Sequence, residues 1–151
     1  MPTATKSDKI DLSSESKTER LANKIIKKIN IGNIIFLYGE MGVGKTTFVK
    51  YIVNGFQKRN KLRLTEVTSP TFNLLNEYQI NETKINHYDL FRLKSVEEIK
   101  NLDIFEDKIN TVTLIEWPQM IKEKPKNLIE LFFEYENNHE KRSVQIRGLN
   151  L

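Results

Sequence analysis

Eight residues, Gly39-Glu40-Met41-Gly42-Val43-Gly44-Lys45-Thr46, constrain the fold of this chain more than any other feature. They follow an unbroken apolar run, Ile34-Ile35-Phe36-Leu37-Tyr38, rich in β-branched and aromatic residues, as in a central strand covered on both faces. After them Phe48, Tyr51, Ile52 and Phe56 recur at helical spacing, and Gly55 with the basic stretch Lys58 to Lys61 predicts a helix end near there. The octet matches G-x-x-x-x-G-K-[ST] at every fixed position and sits between the strand and helix that this pattern requires. Its glycines let the backbone curl until successive N–H groups face one point, and the following helix directs its positive end there. Such a P-loop is expected to hold the phosphates of a nucleotide through residues Glu40, Met41, Gly42, Val43, Gly44, Lys45 and Thr46. Lys45 adds a charge between the terminal phosphates. The Thr46 hydroxyl is the expected Mg²⁺ ligand, because Mg²⁺ prefers octahedral oxygen coordination shared between protein and phosphate.

A P-loop needs a carboxylate nearby to hold the metal or orient an attacking water. Val112-Thr113-Leu114-Ile115-Glu116 is an apolar strand ending in an acid, the arrangement that places a carboxylate at the sheet's carboxyl edge, with glutamate in place of the usual aspartate. In His87-Tyr88-Asp89-Leu90-Phe91-Arg92, strand alternation puts His87 and Asp89 on one face, so Asp89 is a second catalytic candidate. His87 reads better as a hydrogen-bonded strand residue than as a general base. Trp117 is expected to pack under the site. Ser69-Pro70-Thr71-Phe72 fits either a plain β-turn or a switch whose hydroxyls approach the γ-phosphate. No Asn-Lys-x-Asp guanine-reading string follows the loop; Asp8-Lys9-Ile10-Asp11 precedes it and lacks the Asn, so ATP is the expected nucleotide.

The remainder of the chain supports a small α/β domain. Its 151 residues fit one domain that buries roughly 68 to 70% of the unfolded surface. With no cysteine, disulfides and thiolate chemistry are excluded, and two isolated histidines leave little for an imidazole-bound metal. No apolar run approaches the ~20 residues of a membrane span, and Met1 to Ser16 is polar without a signal-like core, so a cytoplasmic protein is expected. The net charge of +4 raises nucleic-acid binding, but the basic runs Lys24 to Lys28, Lys58 to Arg63 and Lys122 to Lys126 are short and separated.

Residues 1–16 are read as a polar N-terminal segment ahead of a single domain over 17–151. Ser16-Lys17-Thr18-Glu19 has the form of a capping box, which predicts a helix over about Lys17 to Ile29. Strands are predicted at Phe72 to Ile80, Lys84 to Phe91, Thr111 to Glu116, Leu128 to Glu136 and Arg142 to Ile146, with helical turns at Val96 to Leu102. That order implies a three-layer P-loop NTPase fold with a mixed sheet, antiparallel at one side.

Together these motifs closely resemble the TsaE family, the bacterial P-loop ATPases of tRNA threonylcarbamoyladenosine biosynthesis. Gly39 to Thr47, Ser69 to Phe72, His87 to Arg92 and Leu114-Ile115-Glu116-Trp117-Pro118 appear in the family's order, with Phe91 where the family usually has Tyr. The resemblance implies Mg-ATP as ligand, Mg²⁺ on Thr46 and Glu116, Lys45, Asp89 and Glu116 in catalysis, and Ser69, Pro70, Thr71 and Phe72 as the switch. It adds Thr47 and Arg142 to the nucleotide contacts and places Thr18 near the adenine. It also implies an accessory role, in which ATP hydrolysis resets a TsaB and TsaD threonylcarbamoyl transferase between turnovers, with direct tRNA contact left open. Two other readings stand beside it: a small-molecule kinase, which would need an acceptor pocket and a lid, and a nucleotide-sensing module that hardly hydrolyses.

Overall fold

The computed structural model describes residues 5–106 and 109–151. Seven strands form a single sheet: β1 (Ile10–Asp11), β2 (Ile34–Tyr38), β3 (Leu75–Ile80), β4 (Thr83–Asp89), β5 (Thr111–Glu116), β6 (Leu128–Glu136) and β7 (Lys141–Arg147), in spatial order β1-β7-β6-β2-β5-β4-β3. Four neighbours, β6, β2, β5 and β4, run parallel. The antiparallel strands lie at both edges, β3 on one and β7 with β1 on the other, where the sequence reading placed them at one side. Each antiparallel edge is made by a hairpin whose turn accepts positive φ, at Asn81 in one and at Asn137, Asn138 and His139 in the other.

Helices α1 (Glu15–Ile26) and α2 (Lys45–Arg59) cover one face, and the short α3 (Val96–Lys100) with its flanking loops covers the β4-β5-β2 part of the other. Alternation along β2 divides the layers: Ile35 and Leu37 enter the core under α1 and α2, and Phe36 enters the core under α3. The two long helices touch closely at Gly55, where a Cβ would stand 2.3 Å from the end of Ile26. Among the described residues no helix is long and apolar enough to cross a membrane.

Several boundaries differ from the sequence reading. Helix α1 is capped by Ser14, whose hydroxyl accepts from the Lys17 amide, so Ser16 lies inside the helix and no Ser16 capping box forms. Thr18, Leu21, Ala22, Ile25 and Ile26 form the buried stripe of this helix. The stretch read as a polar N-terminal segment contributes β1 and the core residue Leu12, with Ser7 bonded to Ile146. Strand β3 begins at Leu75 because a turn spans residues 70–74, closed by the Leu74 amide on the Pro70 carbonyl (2.8 Å) with Leu74 at φ 65°. Strand β4 ends at Asp89, whose carboxylate accepts from the Phe91 amide and turns the chain away.

Candidate functional site

Strand β2 delivers the chain to Gly39 at the carboxyl edge of the parallel strands, and α2 begins six residues later at Lys45. The loop between them needs glycine where it is tightest. Gly39 has φ 151°, and a Cβ there would lie 2.8 Å from Val43 and 3.0 Å from Phe133; Gly44, the residue before α2, has φ 116°. Val43 is buried beneath the loop at 2% exposure, so it anchors the curl from below instead of facing the cavity. Glu40 and Met41 stand on the exposed rim, and Glu40 has His139 within 3.7 Å.

Lys45 is 3% exposed; its ammonium donates to the Gly39 carbonyl and sits 3.6 Å from the centre of the Trp117 ring. Burial pushes the Lys45 pKa below its ordinary value against the pull of the Glu116 and Asp89 carboxylates. Trp117 holds this position at φ 59° directly after β5, and its other neighbour is Phe91 at 4.8 Å between ring centres.

Register brings the two acids together. Asp89 is paired with Glu116 across β4 and β5, and Glu116 with Leu37 across β5 and β2, so both carboxylates emerge beside the loop. The Thr46 hydroxyl donates to Glu116, at 2.9 Å from Oε2 and 3.2 Å from Oε1. Glu116 Oε2 also lies 2.6 Å from His87 Nε2, in a pair almost wholly buried. Asp89 accepts from the Ser69 hydroxyl at 2.6 Å, and Ser69 shares a 3.1 Å bond with Thr71. The Ser69–Thr71 turn is thereby tied to the sheet edge that carries Asp89 and Glu116. Its approach is fixed from α2, where Gln57 Nε2 donates to the Thr65 hydroxyl and Asn54 to the Thr65 carbonyl.

These groups surround a cavity of about 280 Å³. Of the residues selected from sequence, Met41, Gly42, Gly44, Lys45, Thr46 and Thr47 line it from the loop side. Ser69, Thr71, Asp89, Glu116 and Arg142 line it from the sheet and its connections, Arg142 lying over Gly44 at 3.7 Å from an added Cβ. Thr18 opens onto a small adjoining cavity of about 70 Å³, bordered also by Gly44, Thr47 and Arg142. Pro70 is buried behind the turn, and Phe72 is 81% exposed under the Arg92 guanidinium, 4.2 Å from its ring centre. Sequence reasoning did not foresee the Lys45 contact to Trp117 or the wall contributed by Phe91. The adjacency of Trp117 to Glu116 was the signal for the first; the second had none.

The connectivity around β2 leaves one class of protein: a P-loop nucleoside-triphosphatase fold, in which the central parallel strand feeds the phosphate loop and the adjacent strand ends in an acid. The crystal structure of Bacillus subtilis YdiB shares this fold with a TM-score of 0.72, covering 97% of this chain and 88% of that one at 20% identity. The chain belongs to the TsaE family, whose model, described as threonylcarbamoyl adenosine biosynthesis protein TsaE, matches residues 12–144. It is 43% identical over 112 residues to the tRNA threonylcarbamoyladenosine biosynthesis protein TsaE of Rickettsia conorii, a match covering 74% of this chain and 61% of that relative's length. The corresponding Rickettsia bellii protein is 42% identical over 80% of this chain and 81% of its own, and the Nostoc protein 33% identical over 84% and 78%.

Proposed function

We propose that this chain binds Mg-ATP in the cavity above Gly39 to Thr46 and hydrolyses it in the service of tRNA threonylcarbamoyladenosine formation, as an accessory ATPase acting on TsaB and TsaD in the cytoplasm. The observation that carries the reading is the buried Lys45 ammonium beside Thr46 and Glu116 at the mouth of the glycine loop. A cation that costs free energy to bury is retained where an anion will meet it. Gly42 and Gly44, both at positive φ, line the cavity with backbone alone and leave space there for phosphate oxygens.

The donor set suits a hard divalent cation. Thr46 gives its proton to Glu116 and keeps its lone pairs for a metal, and Glu116 offers carboxylate oxygens on the same side. A divalent cation held by Thr46 and Glu116 would supply positive charge against the negative charge of the terminal phosphates. In this reading Lys45 leaves the Gly39 carbonyl for the terminal phosphates, and Arg142 closes over the loop from β7. Asp89, held by Ser69 and by the Phe91 amide, orients the water that attacks the γ-phosphorus; the bond from the γ-phosphorus to the β–γ bridging oxygen breaks, ADP departs with the electron pair, and the proton the water loses passes to a γ-phosphate oxygen, giving inorganic phosphate. Because Ser69 and Thr71 join Asp89 to the α2–β3 connection, the same contact gives a route by which the phosphate site could signal to a protein partner.

The test is ATP turnover by the purified protein alone and with TsaB and TsaD, with no small-molecule acceptor present. The reading expects slow turnover that accelerates with the partners, and losses of about 100-fold or more in Lys45→Ala and Glu116→Ala. Unimpaired hydrolysis in Lys45→Ala, or no response to TsaB and TsaD, would refute it.

A further inference from the structure

His87 is wholly buried on β4, two residues before Asp89, and its ring makes one hydrogen bond. Nε2 meets Glu116 Oε2 at 2.6 Å, while Nδ1 is buried with no hydrogen-bond partner among the described residues. Carboxylate oxygens accept, so the contact is read with Nε2–H as the donor. A leucine would fill this space without an unpaired ring nitrogen, so the imidazole has no packing advantage to explain it. What the imidazole adds is a grip on one chosen oxygen. Thr46 also approaches Oε2 more closely than Oε1, at 2.9 against 3.2 Å, which leaves Oε1 the less engaged of the two. The Lys45 ammonium is close enough for Glu116 to attract it.

We propose that His87 is a positioning residue of the phosphate site: its Nε2–H clamps Glu116 Oε2, turns Oε1 toward the divalent cation and keeps the carboxylate from collapsing onto Lys45. This rests on the Mg-ATP reading above. Glu116 without the clamp is free to rotate and pair with Lys45, which withdraws a metal ligand and a phosphate contact together.

The chain has two histidines, so ¹⁵N-histidine spectra of the unaltered protein, assigned with a His139→Gln variant, report the His87 tautomer directly. The Nε2–H form is expected with and without Mg-ATP; the Nδ1–H form would overturn the proposal. His87→Leu removes the donor and His87→Gln retains one at similar reach. The Mg²⁺ concentration that half-saturates nucleotide binding, followed by calorimetry, should rise about 10-fold in His87→Leu and return to within about threefold of the original in His87→Gln. ADP affinity in EDTA should fall in His87→Leu, where Lys45 is drawn to Glu116 and away from the phosphates, and recover in His87→Gln. An unchanged Mg²⁺ requirement in His87→Leu overturns the inference. Thr46→Ala locates the failure: if it raises the requirement while His87→Leu does not, only the clamp is wrong. If neither variant changes it, the metal site fails and the clamp with it.

Discussion

The residues of the phosphate loop are in tension with the fold that carries them. Lys45 is buried, and the depression of its pKa says that the charged form is less favourable inside the protein than in water, despite Glu116, Asp89 and the Trp117 ring. Lys45→Met keeps the volume and removes the charge. Its melting temperature should therefore stay level or rise by about 2–4 °C for each kcal/mol recovered, while Mg-ATP binding is lost. A clear fall in melting temperature by calorimetry would mean that the ammonium holds the loop together. This pairing of Lys45 with the glycines was legible in the sequence because backbone geometry dictates residue type there. Glu116 was legible for a related reason, because it ends an apolar strand, and Asp89 from its alternation with His87. What they bond to was not, since the His87 and Thr46 contacts to Glu116 depend on the β4–β5 register and the placement of α2, which alternation alone does not supply.

At the scale of elements, the site depends on α2 being held at a fixed height over the sheet, and Gly55 sets that height against α1. A Cβ at 55 meets the Ile26 side chain, which is itself 3% exposed and has little room to move. Gly55→Val should destabilise the fold by about 1–3 kcal/mol through overpacking, as measured by urea unfolding. Strands β2 and β5 were readable as short apolar runs and helix α2 from its helical spacing. The start of α1 was not, because two serines two residues apart both offer a cap, and Ser14 wins once Asp11 draws in Lys17 and Ser13 just upstream. The two-residue β1 is too short to show alternation and exists only by pairing with β7. On the opposite face, Glu130 of β6 is 6% exposed and ties β6 to β2 and to the 118–127 loop through Tyr38 (2.7 Å) and Lys124 (2.9 Å). Burial alone would raise its pKa, but the bonds from Lys124 and Tyr38 and the charges of Lys124 and Arg147 outweigh it and lower the value. A depressed folded pKa means stability that is full above the ordinary glutamate value and is lost as pH falls through the folded one. Glu130→Gln should accordingly flatten the acid side of a stability-versus-pH curve below about pH 4.5, the ordinary glutamate value, and leave the neutral side's slope unchanged. An identical acid limb in the variant would place that loss elsewhere.

For the whole molecule, both cores share the central strands, so the phosphate loop is attached to the most buried part of the sheet instead of to a separate lid. Phe36 and Leu37, adjacent in β2, enter opposite cores, and the loop starts two residues later. Ligand binding should therefore stabilise the entire chain as one cooperative unit. By mass action a nucleotide at 100 times its dissociation constant adds about 2.7 kcal/mol. For a domain of this size that corresponds to a rise of roughly 5–11 °C in melting temperature. If Thr46 and Glu116 hold the cation, the rise with ATP should be large in Mg²⁺ and small in EDTA, and Thr46→Ala should show the small value under both conditions. Calorimetry at matched ATP concentrations distinguishes this from a loop that merely grips anions, for which Mg²⁺ would make no difference in either protein. A transition that splits in two, with only one half moved by ATP, would instead mean that the α1–α2 face melts independently of the β4-β5-α3 side. The continuous register from Leu37 through Glu116 to Asp89 argues against that, because the carboxylates that would meet the cation are the last rungs of the ladders joining the two sides.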